Sequence, residues 1–391
     1  MRRKIILTSI VMILISITLS TSAQSEDNIV SQRLEKFLKD VGAASVNVAL
    51  VKNGQIIYKG AFGKANLEKD IDASTKHQYM IGSVSKLFTG AAVMQLVEQE
   101  KIDFEEDINK YLPFTIRHPN FPEIPITIKM LMTHMSGFAD RQELQNELYG
   151  DGDSKMSLKD VSERFFDRKG EFYMDSNFEE YQPGEKWDYS NWNYVLLGYI
   201  IERVTGMQYY EYSYKNILEP LEMQSSKWFL KECNLDDLAI HYQPTESGDQ
   251  NPVDYYGWPG YPDGQLRVNV EELSNFLTMY LNDGEFRGKR ILTKVSISRI
   301  LTTNECDGLT GRVFKGMGLT WFVHAGFNSV FSHGGSPTGT RIDVLIDKES
   351  NSGFVFYVTG IDEMKKDTWD KIKDLKLYLH EYTAGGTGGT N

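Results

Sequence analysis

The amino-acid sequence predicts an α/β (α+β) protein, an antiparallel sheet flanked by helices and interrupted by an inserted, mostly helical domain. Three observations carry this. Strand-like segments gather near both ends of the chain, the stretch between them has helical spacing, and a C-terminal segment has the one-sided apolar face of a helix lying across a sheet. Ala44 to Val51 and Gln55 to Lys59 read as two strands joined at Asn53-Gly54, a pair that readily supplies positive φ. Ser83-Val84-Ser85-Lys86 then opens a helix to Gln99, with Leu87, Ala91, Met94 and Val97 three and four residues apart. Ile128 to Met132 continues the helical texture, and Tyr194 to Val204 forms another apolar stretch ended by Gly206. After a helix from Glu271 to about Leu281, strands are expected at Leu319 to Val323, Ser329 to Ser332, Arg341 to Ile346 and Phe354 to Thr359. Asp367 to Tyr382 places Ile372, Leu375 and Leu379 on one helical face. The expected division is a discontinuous sheet domain at 24–82 and 266–383, a helical domain at 83–265, and a flexible Gly/Thr-rich tail at 384–391. The natural place for a site is the cleft between the two domains.

Arg2, Arg3 and Lys4 precede an apolar run from Ile5 to Ile17 and small residues at Thr21-Ser22-Ala23, the pattern of a signal peptide over residues 1–23. The run is shorter than the roughly 20 residues that span a bilayer. Export to a periplasm or the extracellular space, with no stable membrane anchor after cleavage, is therefore expected. Removing those residues takes three basic and no acidic groups, which moves the formal net charge from −12 to −15. Nucleic acid is excluded as a partner, because an acidic surface repels phosphate and no basic stripe offsets it. Cys233 and Cys306 make no disulfide framework, and either two thiols or one bridge fits. The seven histidines show no metal-ligand spacing, so neither a metal nor another cofactor is expected.

Residues i and i+3 of a helix share a face, so Lys86 can reach the Ser83 hydroxyl and help remove its proton without a histidine. Ser83 at a helix N-terminus sits where backbone N–H groups favour developing negative charge. Two further motifs follow in order, Tyr189-Ser190-Asn191 before a helix and His333-Gly334-Gly335 after a short strand. A phenol is too weak a base at neutrality unless a cation sits beside it, and Lys86 is such a cation. Asn191 would hold the lysine and a substrate amide or carbonyl. No Gly-x-Ser-x-Gly elbow is present for a Ser/His/Asp hydrolase, and His134 is assigned to structure.

With these three motifs in order, the chain resembles the serine β-lactamase and penicillin-binding protein superfamily, in particular its class C β-lactamase, D-aminopeptidase and family VIII esterase branch. Leu131-Met132-Thr133-His134-Met135-Ser136-Gly137, Pro183-Gly184, Leu196-Leu197-Gly198 and Ile200-Ile201-Glu202 extend the likeness, and Glu100 departs from it where relatives often have glycine. The resemblance implies a beta-lactamase/transpeptidase-like fold. It also implies Tyr189 as general base for acylation and acid for the leaving group, with an oxyanion hole made by the backbone N–H groups of Ser83 and Ser336.

The third motif narrows the substrate. β-Lactamases of the family carry lysine and threonine where this chain has His333 and Gly334, and a histidine is only partly charged near neutrality, so carboxylate recognition is weakened. Arg341 either supplies a charge there or is a solvated strand residue. Trp187, Trp192, Tyr255, Tyr256, Trp258 and Tyr261 cluster between the second and third motifs and are expected to be mostly core or loop anchors. The leading expectation is a serine hydrolase that forms an acyl-enzyme on Ser83 with a small-molecule or peptide donor: an ester, an amide or a D-amino-acid peptide. Alternatives are acyl transfer to a hydrophobic alcohol or amine, a DD-peptidase or β-lactamase, and a non-catalytic binder of cell-wall peptide or β-lactam.

Overall fold

Strands from both ends of the chain meet in one eight-stranded sheet. β1 (Ser45–Lys52), β2 (Gln55–Asn66) and β3 (Ile71–Asp72) come first; β4 (Phe314–Met317), β5 (Phe322–His324), β6 (Val330–Gly335), β7 (Thr340–Asp347) and β8 (Ser352–Thr359) come last. Their order is β4-β5-β6-β7-β8-β1-β2-β3, every neighbouring pair antiparallel. β1 and β8 close the gap between the two ends, with Ser45 opposite Thr359 and Lys52 opposite Ser352. This computed structural model describes residues 28–304, 306–309 and 313–385, so the signal-peptide reading of 1–23 and the tail from 386 lie outside the described residues.

Side chains alternate across the sheet. Val46, Val48, Leu50, Phe356 and Val358 face outward onto a helix over residues 28–41 (α1) and the C-terminal helix α5 (Lys366–Ala384). Ala49, Val51, Val355 and Tyr357 face inward, onto α4 (Val270–Leu281) and the helical region. Burial on both faces makes the central strands apolar runs. In the helical region, α2 (Lys86–Glu98) and α3 (Trp192–Thr205) are buried nearly all round, and Gly206, in the left-handed conformation, ends α3 as expected. The predicted flanked antiparallel sheet is thus the observed architecture.

The details differ in instructive places. The turn at Asn53-Gly54 forms with φ of 51° and 75°, but β2 continues to Asn66, beyond the expected Lys59. Ser83 lies in a 3-10 turn (Gly82–Ser85) that leads into α2, not in the helix itself. β5 begins only at Phe322 because Thr320 has φ 80°, which breaks the extended run expected from Leu319. Glu100 has φ 57°, a left-handed conformation that explains why glycine suits this position in relatives. Cys233 and Cys306 are both free thiols. Among the described residues, no helix is long and apolar enough to cross a membrane, and no cluster of His, Cys, Asp or Glu could hold a metal ion.

Candidate active site

The 3-10 turn brings Ser83 against two partners. Its Oγ lies 2.7 Å from the Tyr189 hydroxyl oxygen and accepts from Lys86 Nζ at 3.0 Å. Lys86 is fully buried at the start of α2. Its ammonium also donates to Asn191 Oδ1 at 2.7 Å and to the Asp263 carbonyl at 2.9 Å, with the Asp263 carboxylate 3.5 Å away. Burial alone would discharge this lysine, but the neighbouring Tyr189 oxygen, Asp263 and Asp140 outweigh it and hold the pKa above the ordinary value. The surroundings of Lys86 therefore favour its charged form. Asn191 is fixed in turn by Asp140, whose carboxylate accepts its backbone N–H at 2.8 Å and its side-chain amide at 3.1 Å.

Tyr189 is held from behind by His134. The two rings stack with centroids 4.3 Å apart, Ser190 N–H donates to His134 Nδ1 at 3.2 Å, and Asp188 N–H donates to the His134 carbonyl at 2.9 Å. Burial, with help from the Lys86 charge, keeps this imidazole well below its usual pKa, hence neutral. His134 thus packs against the candidate base.

The third motif forms the end of β6. A Cβ on Gly335 would sit 2.1 Å from the Ile81 carbonyl oxygen and 3.2 Å from Ser83 N, so only glycine lets the strand lie against the turn carrying Ser83. A Cβ on Gly82 would lie 3.2 Å from Ser336 N, so Ser336 follows that strand to the same end of the site. His333 corrects an expectation. It is 2% exposed, and burial, followed by the Lys86 charge, lowers its pKa to about 3, so it is neutral rather than partly charged. Its Nδ1 is 2.8 Å from the Gly334 carbonyl, which can only accept, so Nδ1 carries the proton and Nε2 is left as a buried acceptor with no partner among the described residues. Such a nitrogen cannot donate to a substrate carboxylate.

Arg341 does not restore that donor. Its guanidinium grips Asp343 with two bonds, Nε to Oδ2 at 2.9 Å and Nη2 to Oδ1 at 2.7 Å, while Nη1 donates to Ser336 Oγ at 3.0 Å and lies 3.6 Å from Glu363. Both sequence readings of Arg341 give way to a partly buried, internally neutralised cation that braces Ser336. It also fills the space a side chain at 334 would take: a Cβ on Gly334 would lie 2.2 Å from Arg341 Nη2. Gly334→Thr is accordingly expected to prise Arg341 from Asp343 and destabilise the fold by about 1–3 kcal/mol, without creating turnover of carboxylate-bearing substrates. Thermal melts and hydrolysis of a D-alanyl-D-alanine peptide check both parts, and an unchanged melt would contradict the packing.

A family profile described as Beta-lactamase matches residues 30–376. The chain belongs to the beta-lactamase family. Protein flp of Staphylococcus aureus (strain MRSA252) is 25% identical over 334 residues, covering 85% of this chain, and the chain spans only 62% of that protein's length. The solved D-amino acid amidase from Ochrobactrum anthropi SV3 superposes with TM-score 0.70 at 20% identity, covering 90% of this chain and 99% of its own. EstCE1, described as a hydrolase with promiscuous acyltransferase activity, gives TM-score 0.72 at 18% identity over 89% of this chain and 98% of its own. At these identities the structures show a shared fold.

Within this beta-lactamase-family site, the motif residues Ser83, Lys86, Tyr189, Asn191, His333, Gly334, Gly335 and Ser336 come together around one cavity of about 1260 Å³, whose wall includes six of the eight, all but Lys86 and Gly335. Asp263 and Asp140 were not among the expected residues. Asp263 lies in a Pro-Asp-Gly turn, which in sequence reads as a solvent-exposed reversal, and no local signal marks it. Its carboxyl is buried, accepts from Trp258 Nε1 at 2.9 Å, and is pushed up to about 6 by burial. Of the aromatic cluster, Trp192, Trp258 and Tyr261 are core, as expected, whereas Tyr256 lines the cavity.

Proposed function

We propose that the protein is an exported serine hydrolase that forms an acyl-enzyme on Ser83 from an ester or amide lacking a free carboxylate beside the scissile bond. The observation that carries this is the Ser83 Oγ placed 2.7 Å from Tyr189 and 3.0 Å from a charged Lys86. Ser83 Oγ attacks the carbonyl carbon as its proton passes to the Tyr189 oxygen, and Lys86 stabilises the phenolate that accepts it. The carbonyl oxygen becomes an oxyanion and accepts from the backbone N–H groups of Ser83 and Ser336. Collapse breaks the bond to the alcohol or amine, which leaves with the proton returned by Tyr189, and water repeats the sequence on the acyl-enzyme. The absent carboxylate rests on His333, an acceptor, and on Arg341, neutralised by Asp343.

Acyl transfer is the second reading, favoured by an apolar cavity large enough for an acceptor alcohol beside the acyl group. Intact mass spectrometry with an activated ester is expected to show one acyl adduct on the wild type and none on Ser83→Ala. An identical adduct on the variant would sink the nucleophile assignment. The same mixture with a penicillin is expected to give little adduct, and added alcohols divide the products between free acid and transesterified ester.

A further inference from the structure

The cavity does not end at the catalytic groups. It continues from Gly334 and Ser336 over the outer face of β6 and β7 and along α5 as far as Leu377 and His380. Register explains the path: Gly334, Ser332 and Val330 pair with Asp343, Leu345 and Asp347, so these residues share the face opposite His333. α5 lies over β8 and β1, and the outer face of the edge strands beside it forms the floor of a groove.

The groove is apolar in a specific way. Phe314 and Phe322 stack on its floor with centroids 4.9 Å apart, next to Val330 and Leu345. Val313, Phe327 and Leu377 stand at its rim, 57%, 49% and 54% exposed. The polar groups along it are paired, Lys373 with Asp370 at 2.8 Å and the others chiefly with one another. Asp343 is bound by Arg341 and by Lys376 Nζ at 2.7 Å, His324 Nε2 is 2.7 Å from Ser332 Oγ, and His380 Nε2 is 3.3 Å from Asp347. The stems of Arg341 and Lys376 add hydrocarbon to the wall where charge would otherwise face an occupant.

We infer that this groove is a subsite for a long apolar chain of the substrate, so that the enzyme acts on amphiphilic esters or amides with the scissile bond at Ser83 and the chain laid between α5 and the edge strands. The assignment rests on the acyl-Ser83 reading above. Continuity with the catalytic cavity selects a substrate chain over a separate partner, because an occupant of the groove reaches Ser83 without crossing solvent. From Ser336 to Val330, six residues at about 3.4 Å each give about 20 Å. At roughly 1.2 Å per bond of extended chain, that accommodates on the order of 12 to 16 carbons.

The test is a chain-length series read as kcat/KM below the micelle threshold: p-nitrophenyl esters from butanoyl to dodecanoyl, and acetate esters of butanol to dodecanol. In at least one series the wild type is expected to gain at least about tenfold from the shortest to the longest member, since each buried methylene adds severalfold. Leu377→Glu and Phe327→Glu, both at the rim, are expected to remove that gain and leave turnover of the butanoyl ester within twofold. Flat dependence in both series, with short esters turned over, overturns the subsite and leaves the hydrolase reading standing. A gain that survives both substitutions overturns its placement in the groove. If no ester of any length acylates Ser83, the hydrolase reading fails and the subsite fails with it.

Discussion

Tyr189→Phe is expected to lower kcat by about 100- to 10,000-fold, the usual contribution of a positioned acid-base group, with KM changed only a fewfold. The substitution is clean because the ring has independent reasons to stay in place. It stacks on His134 at 4.3 Å and faces the Lys86 ammonium, 5.1 Å from its centroid, and neither contact needs the hydroxyl. What disappears is the oxygen 2.7 Å from Ser83 Oγ. In the proposed mechanism the same oxygen returns the proton to the leaving group, so the loss should be graded by substrate. An amide, whose nitrogen must be protonated to depart, is expected to lose much more than a p-nitrophenyl ester, whose leaving group departs as an anion. Steady-state kinetics on the two substrate types check this, and equal losses would separate Tyr189 from leaving-group protonation. Near-normal turnover of both would transfer the base role elsewhere.

The parts of this site visible in the sequence are those where chemistry demands a residue type at a fixed spacing. Ser83 and Lys86 are one helical turn apart, Tyr189 and Asn191 occupy one loop, and Gly335 of the third motif marks a close approach of backbone to backbone. The sheet was legible because its central strands are buried on both faces and therefore read as unbroken apolar runs. The rest depends on contacts between distant segments. Asp263 meets Lys86 across 177 residues, and nothing near it distinguishes a buried turn from an exposed one. His333 reads as a partial cation by residue type, but burial removes its charge. Arg341 reads as a free charge until Asp343, two positions along the same strand face, is seen to hold it. The groove beside α5 is legible only from strand register, since it is formed by what the helix leaves uncovered.

Lys86→Met is expected to abolish most activity and to destabilise the protein in a pH-dependent way. The side chain keeps its length and its packing, but a buried carboxylate loses the cation opposite it. Asp263 already titrates at about 6 rather than 3.8, because burial raises it more than Lys86 lowers it. Without Lys86 its pKa in the folded state rises further. A folded pKa above the unfolded one means that the fold favours the neutral acid. The resulting stability is fully present below about pH 3.8, and it is lost as pH climbs through the folded value of about 6 or higher. The variant should therefore melt close to wild type near pH 5 and fall behind steadily above pH 6, by up to about 2.7 kcal/mol at pH 8, since one proton is worth about 1.4 kcal/mol per pH unit. A deficit that does not change with pH would assign the loss to packing. Adding Asp263→Asn removes the orphaned charge while an amide oxygen can still accept from Trp258 Nε1, the donor now 2.9 Å from the carboxylate. The double variant is expected to regain its thermal stability at pH 8 and to remain inactive, because nothing then stabilises a phenolate at Tyr189. Recovery of turnover along with stability would show that Lys86 supports the fold and not the reaction.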